Sequence, residues 1–338
     1  MASSSFDPEH VNLLTADPAQ VICALNASGN EYDGKLGARI SSIFVIWIIS
    51  TLVTVFPVAA KRIPLHVYLF ARFFGSGVIV ATAFIHLLDP AYGEIGPNTC
   101  VGMTGGWAQY SWVPAIALTS VTVIFLVDLC AERYVEMKYG IQHQHTSLQD
   151  AVTVYHEKDV EQTTTTDITR VEEQQFRTQF GAFLILEFGV IFHSVVIGLN
   201  LGVAGEEFST LYVVLIFHQS FEGLGIGARL SDIPFPARLR GWLPWLLCIA
   251  YGLTTPICIA IGLGLRTTYN PNSFTANIVS GTLDSISAGI LIYTGLVELL
   301  ARDFIFDPNR TKDNKRLAFM VVSFLLGAGI MALLGKWA

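Results

Sequence analysis

The chain has 338 residues, of which 52% are hydrophobic and only 14% are charged, and its mean hydropathy is +0.52. Soluble domains carry roughly 25% charged residues, so this composition excludes an ordinary soluble fold and predicts one folded unit in a membrane. The formal net charge of −7 provides no basic surface for nucleic acid, and we expect the lipid bilayer, not nucleic acid, as a partner.

Eight apolar segments follow one another along the chain, each close to the roughly 20 residues that a helix needs to cross a bilayer. They predict an all-α integral membrane protein with eight transmembrane helices. We divide the chain into a polar N-terminal segment, residues 1–39, and an eight-helix domain, residues 40–338. Spans 1 to 8 are expected at 43–60, 67–88, 112–130, 180–203, 209–230, 242–265, 278–300 and 317–335.

The distribution of Lys and Arg predicts the orientation of this bundle. Of the 20 such residues, 15 lie in the connections that follow spans 1, 3, 5 and 7, and 4 lie on the opposite side. Because positive charge concentrates in cytoplasmic loops, we expect those connections in the cytosol and both termini outside the cell, in the plasma membrane. Cys23 and Cys100 then share the oxidising side, where a disulfide and two free thiols are equally compatible with the sequence.

The longest connection, residues 131–179, is polar, Thr-rich and charged, so we expect a cytosolic and largely disordered loop. It contains His143 and His145, two positions apart. Histidine-rich tracts can bind divalent metals weakly, and a solvated loop that merely contains histidines is an equal alternative.

Polar residues, three of them ionisable, lie in the middle of spans 4 and 5, where a membrane helix normally has only hydrocarbon side chains. His193 and Ser194 are on span 4, and His218, Gln219 and Glu222 are on span 5, with the second histidine and the glutamate as i,i+4 neighbours. A charge at the bilayer centre costs roughly 2.5–3.5 kcal/mol on insertion, which makes such residues candidates for function. Two imidazoles and a carboxylate that converge suit Zn²⁺ or Fe²⁺. Hydrogen bonding between helices is the alternative.

Further polar residues indicate a path along the helices. Asn200 lies two helical turns after the histidine of span 4, on the same face. His86 and Asp89, near the outer end of span 2, are interpreted as an outer station that attracts cations; alternatively, Asp89 simply ends the span before Pro90. Glu187 lies between the candidate site and the cytosol, on the exit side.

The motifs of spans 4 and 5 resemble those of the ZIP family of divalent-metal transporters, in its zinc/iron subfamily with fungal and plant members. The resemblance implies a 3+2+3 arrangement, in which spans 1–3 and 6–8 are inverted repeats around spans 4 and 5. It also implies that the five polar residues of spans 4 and 5 form the transport site. The residues that carry the resemblance are Glu187 to Gly198, His218 to Gly223, Thr254-Thr255-Pro256, and Ala288-Gly289 to Tyr293.

The resemblance also leads to an expectation about stoichiometry and mechanism. Ile197 stands where family members with two adjacent metal sites have a carboxylate, so we predict a single mid-membrane metal ion. We expect transport of zinc into the cytosol by alternating access, with Zn²⁺ as substrate, Fe²⁺ as a second candidate and no catalytic cofactor. The chain is not expected to be an enzyme. An intramembrane zinc-dependent hydrolase and a metal-sensing receptor without transport are the alternatives, and a homodimer is left open.

Overall fold

The computed structural model of the protein describes residues 16–26, 32–59, 64–139, 165–306 and 311–337. Within these ranges, eight helices are long and apolar enough to cross a membrane, which confirms the prediction of an all-α membrane protein with eight spans. The 3+2+3 repeat stays a prediction. The spans are Leu36–Ala59, Leu65–Ile95, Trp112–Ala131, Gln175–Val203, Phe208–Asp232, Leu243–Gly264, Phe274–Phe306 and Asn314–Leu334.

Span 2 extends well beyond the apolar segment that predicted it. It includes a π-helical stretch, Thr82–Leu88, and continues as an α-helix over Asp89–Ile95. The helix therefore continues past Asp89, the residue that was one candidate for the end of the span. Pro90 is tolerated because it lies in the first turn of the stretch that follows the π-helix, where a missing N–H has little cost. Span 7 likewise ends in a π-helical stretch, Thr294–Phe306.

The connection between spans 3 and 4 is helical at both ends. The two helices run over Trp112–Tyr139 and Thr165–Val203, so they continue into the residues 131–179 that were expected to form a loop. Once a helix has formed, each further residue adds a hydrogen bond at low cost, even where the sequence becomes polar. His143 and His145 lie outside the described residues.

Small residues allow the helices around spans 4 and 5 to approach closely. A Cβ atom added at Gly75 of span 2 would lie 2.2 Å from the Cα of Gly225 on span 5. A Cβ added at Gly202 of span 4 would lie 2.8 Å from the Cα of Gly262 on span 6. Backbones this close leave no room for a side chain, so glycine is required where these spans cross.

The two ends of the bundle differ in their connections. We call the end that carries Tyr32 to Lys35 and Gly335 the terminal side, and the end from which the helices of spans 3 and 4 project the loop side. On the terminal side, Cys23 forms a disulfide with Cys100 and so ties the short helix Pro18–Asn26 to the segment between spans 2 and 3. The sequence left this pairing open.

A completely buried arginine organises the terminal side. Arg39, at the start of span 1, is 0% exposed. Its guanidinium donates hydrogen bonds to the carbonyl oxygens of Leu201 and Gly202, at 3.2 and 3.3 Å, and also to that of Ala204. These carbonyls belong to the last turn of span 4 and the residue after it, where backbone acceptors lack partners within the helix. A cation there also interacts favourably with the helix dipole.

Aromatic and acidic groups enclose the same guanidinium. It lies 4.6 Å from the ring centroid of Tyr32 and 4.4 Å from that of Phe208. One oxygen of Asp33 accepts a hydrogen bond from Arg39 at 2.8 Å, and the other pairs with Lys35 at 2.7 Å. The hydrogen bond from Lys35 is the main cause that lowers the pKa of the Asp33 carboxyl, and Arg39 adds to it.

We expect Arg39→Ala to lower the stability of the bundle strongly. The substitution leaves several buried carbonyl groups without donors, at about 1–3 kcal/mol each, which corresponds to a decrease of roughly 5–10 °C in apparent melting temperature. Thermal unfolding of the detergent-purified protein measures the effect. Arg238→Ala, at an exposed arginine, is the control and should leave the melting temperature unchanged. Equal melting curves for both variants would contradict a structural role for Arg39.

Candidate metal centre

Three ligand groups converge between spans 4 and 5. One ligand atom each from His193, His218 and Glu222 lies within 4.8 Å of the others, and all three residues are at most 2% exposed. The Nε2 atoms of the two imidazoles are 3.2 Å apart, and Nε2 of His218 is 3.3 Å from Oε1 of Glu222. The structure thus brings together the two histidines and the glutamate that the sequence singled out.

The cluster retains atoms that are free to bind a cation. Nδ1 of His193 and Oε2 of Glu222 are buried and have no hydrogen-bond partner among the described residues. A buried polar atom without a partner is costly, at about 1–3 kcal/mol, and calls for an explanation such as ligand binding. Two imidazoles and a carboxylate are the donors that Zn²⁺ and similar first-row ions prefer, so the donor set fits zinc as substrate.

Thr82 is part of the site although the sequence analysis missed it. Its hydroxyl donates a hydrogen bond of 3.0 Å to Oε1 of Glu222 from span 2. A hydrogen bond of this kind orients a ligating carboxylate. Thr82 precedes His86 by four residues, so the helical spacing places both on one face and offered a signal that could have identified it.

His86 lies beside the cluster and not at the outer end of its helix. Its ring meets that of His218 edge to face, with centroids 4.8 Å apart. Its Nε2 atom is 3.0 Å from the carbonyl oxygen of Met331 on span 8. His86 is 6% exposed, whereas Asp89 is exposed, and both line the cavity described below. Their role as an outer station for cations stays a prediction.

Gln219 connects span 5 to span 6. Its amide donates to the hydroxyl of Thr255, and its Oε1 atom accepts a hydrogen bond of 2.9 Å from the hydroxyl of Tyr251. The side chain is therefore engaged away from the three ligand groups, and the structure does not join Gln219 to the cluster. Ser194 is buried next to His193 in the chain, at 2% exposure.

A cavity of about 720 Å³ leads from the terminal side to the two histidines. Its wall includes Ala204, Gly205, Pro271 and Asn272, which belong to connections on the terminal side. Its inner end reaches the imidazoles of the cluster. Carboxylates are frequent in the wall and favour cations over anions within the cavity. The wall contains four of the residues predicted from the sequence, Asp89, His193, Asn200 and His218. It also contains Glu94, Ile197, Glu207 and Asp284.

Ion pairs hold the spans together on the loop side. Arg72 of span 2 donates to both oxygens of Asp303 at the end of span 7, at 3.0 and 2.8 Å, and pairs with Asp232 at the end of span 5. Glu187 lies on span 4, on the loop side of His193. It is 7% exposed, and its Oε2 atom has no partner among the described residues. Access to the cluster is thus open from one side, while the other side is joined by charge pairs.

We expect Thr82→Val to weaken binding of Zn²⁺ at the cluster by about tenfold or more, because the carboxylate of Glu222 loses the group that orients it. Isothermal titration of the purified protein measures the dissociation constant. Thr82→Ser keeps the hydroxyl and should bind as the wild type does. Equal affinity of the valine and serine variants would show that the hydrogen bond has no part in binding.

Comparison with known proteins identifies the family. The family model described as ZIP Zinc transporter matches residues 36–335. The chain is 59% identical to zinc-regulated transporter 1 of Saccharomyces cerevisiae, over 98% of this chain and 97% of the relative. It is 40% identical to zinc-regulated transporter 1 of Schizosaccharomyces pombe and 31% identical to zinc transporter 5 of Oryza sativa, over at least 95% of this chain and 90% of each relative. The chain therefore belongs to the ZIP family and is a transporter of zinc across the membrane, not an enzyme.

Proposed function

We propose that the protein carries zinc from the terminal side to the loop side by alternating access, with one stop at His193, His218 and Glu222. The observation that carries this proposal is the asymmetry of the path. A cavity leads from the terminal side to the two histidines, while Arg72 joins spans 2, 5 and 7 on the opposite side. Such an arrangement corresponds to the state that receives the ion.

The donor set supports a single ion at this stop. Glu222 is the one carboxylate of the cluster found among the described residues. Ile197, one turn after His193, contributes a hydrocarbon side chain to the cavity wall. The side-chain amide of Gln219 is hydrogen-bonded to Thr255 and Tyr251 of span 6. Three protein ligands leave further positions of the ion to water, so the ion can exchange, as transport requires.

Release toward the loop side requires the charge pairs there to separate. Arg72 is a partly exposed cation held between Asp232 and Asp303. When spans 5 and 7 move apart, Glu187 becomes the next carboxylate along span 4, and its unpartnered Oε2 atom is suited to accept the leaving ion. Fe²⁺ has similar ligand preferences and is proposed as a second substrate.

The terminal side is proposed to face the outside of the cell at the plasma membrane. The excess of Lys and Arg on the loop side supports this orientation. The disulfide between Cys23 and Cys100 supports it independently, because disulfides persist in oxidising surroundings. The polar segment before span 1 is then extracellular, and the connection between spans 3 and 4 is cytosolic. The hydrolase and receptor alternatives are not favoured, since the relatives are named as zinc transporters.

We expect His193→Ala and Glu222→Ala each to reduce ⁶⁵Zn²⁺ uptake into proteoliposomes to the level of protein-free liposomes, because each removes a ligand from a three-ligand stop. Uptake is measured from initial rates at equal protein content. His66→Ala removes an exposed histidine outside the cluster and should preserve uptake. Normal uptake by both cluster variants would exclude the proposed route.

We expect Arg72→Gln to open the loop side more often, since Asp232 and Asp303 would face each other without a cation. A reporter Val190→Cys, placed on span 4 at a position that is 1% exposed, is introduced after replacement of Cys130, Cys248 and Cys258 by Ala. The rate at which a maleimide labels this cysteine should increase about fivefold. That factor corresponds to the free energy of one partly exposed ion pair.

The control for this experiment is Lys315→Gln, which removes an exposed cation at the start of span 8. It should leave the labelling rate unchanged. Unchanged labelling in the Arg72 variant as well would mean that these ion pairs do not hold the loop side closed.

A further inference from the structure

A pair of carboxylates lies in the cavity wall, outside the cluster of spans 4 and 5. Asp284 of span 7 is 3% exposed, and its Oδ1 atom has no hydrogen-bond partner among the described residues. Glu94, in the last turn of span 2, has an Oε2 atom that is buried and equally without a partner. Both residues line the same cavity as His193 and His218.

Close packing of spans 2 and 7 places these two carboxylates near each other. A Cβ atom added at Gly281 would lie 3.2 Å from the Cβ of Glu94 and 2.8 Å from Cγ2 of Ile95. Asp284 follows Gly281 by three residues and so lies on the same face of span 7. Ser280 directly precedes Gly281, and its hydroxyl forms a hydrogen bond with the carboxyl group of Glu94.

Hydrogen bonding between helices accounts for only part of this arrangement, the contact of Ser280 on span 7 with Glu94 on span 2. An interhelical role would satisfy the buried oxygen of Asp284, yet that oxygen has no partner in the part of the chain that the structure describes. Two carboxylates that are close together out of bulk water can both stay ionised only if a cation lies between them; otherwise they take up protons. The cavity gives a cation access to both groups from the terminal side.

We propose that Glu94 and Asp284, with the hydroxyl of Ser280, form a second divalent-cation site that holds the ion before it reaches the histidines. The donors are all oxygen, a set that is suited to Mn²⁺ and that holds Zn²⁺ less tightly than imidazole donors do. Transfer to the imidazoles of the cluster is then favourable for zinc. This site is distinct from the single mid-membrane stop, and its role as a station on the path depends on the function proposed above.

The experiment measures binding alone, in the full-length purified protein. Mn²⁺ is the probe because its free form gives a sharp paramagnetic resonance spectrum that disappears on binding. The background is His193→Ala with His218→Ala, which removes the imidazoles of the central stop. We expect this double variant to retain one bound Mn²⁺ per chain, and added Asp284→Asn to weaken that binding by about tenfold or more.

The matched control is Glu206→Gln, which removes a carboxylate from the terminal side at an exposed position outside the cavity wall. It should leave Mn²⁺ binding unchanged. Absence of bound Mn²⁺ in the double variant, or equal affinity after Asp284→Asn, overturns the proposal. If the double variant does not fold, the single variant Asp284→Asn decides the matter by uptake: a raised KM for zinc with the maximal rate retained supports the site, and an unchanged KM overturns it.

The two proposals fail in different ways. If the wild-type protein shows no zinc uptake but Mn²⁺ binding depends on Asp284, the transport route is rejected and the second site is kept. Normal uptake that depends on His193, without Mn²⁺ binding at Asp284, would keep the route and reject the second site.

Discussion

Removal of a doubly charged ion from water is the constraint on which the rest of the structure depends. The hydrocarbon of a bilayer offers no replacement for the hydration shell, so protein ligands must supply it. A single helix cannot surround an ion with ligands, because its side chains radiate outward from the helix axis. His193 and His218 therefore come from different spans, and Thr82 contributes to the site from a third. The glycines at the helix crossings, such as Gly75 and Gly225, are the packing condition for that convergence.

The same constraint explains why charged groups are distributed unequally along the path. Toward the terminal side, Glu94 and Asp284 each have an oxygen that finds no partner in the described part of the chain, and both residues line the cavity. Toward the loop side, Asp232 and Asp303 both pair with Arg72 and so join three spans. Acidic residues thus occur in two settings: in the cavity wall, where an oxygen finds no partner among the described residues, and on the loop side, where they pair with a cation.

The sequence was sufficient for those features that depend on composition and local spacing. Hydropathy gave eight spans, and the positions of His193, His218 and Glu222 identified the residues that the structure brings together. Features that depend on how the helices cross could not be predicted from the sequence. The direction of Gln219 depends on Tyr251 and Thr255 of another span, and the extension of span 2 past Pro90 depends on a π-helical stretch that hydropathy does not reveal.

The π-helical stretch of span 2 also fixes the rotational phase of everything beyond it. Each residue of an α-helix turns the chain by about 100°, so a stretch that accommodates an extra residue rotates the following turns by a similar angle. Asp89 and Glu94 lie beyond Thr82–Leu88 and face the cavity in the phase that this stretch sets. Deletion of one residue there would retain both carboxylates in the sequence and direct them away from the ion path. Residue spacing in this part of the chain is therefore as much a determinant of the path as residue identity.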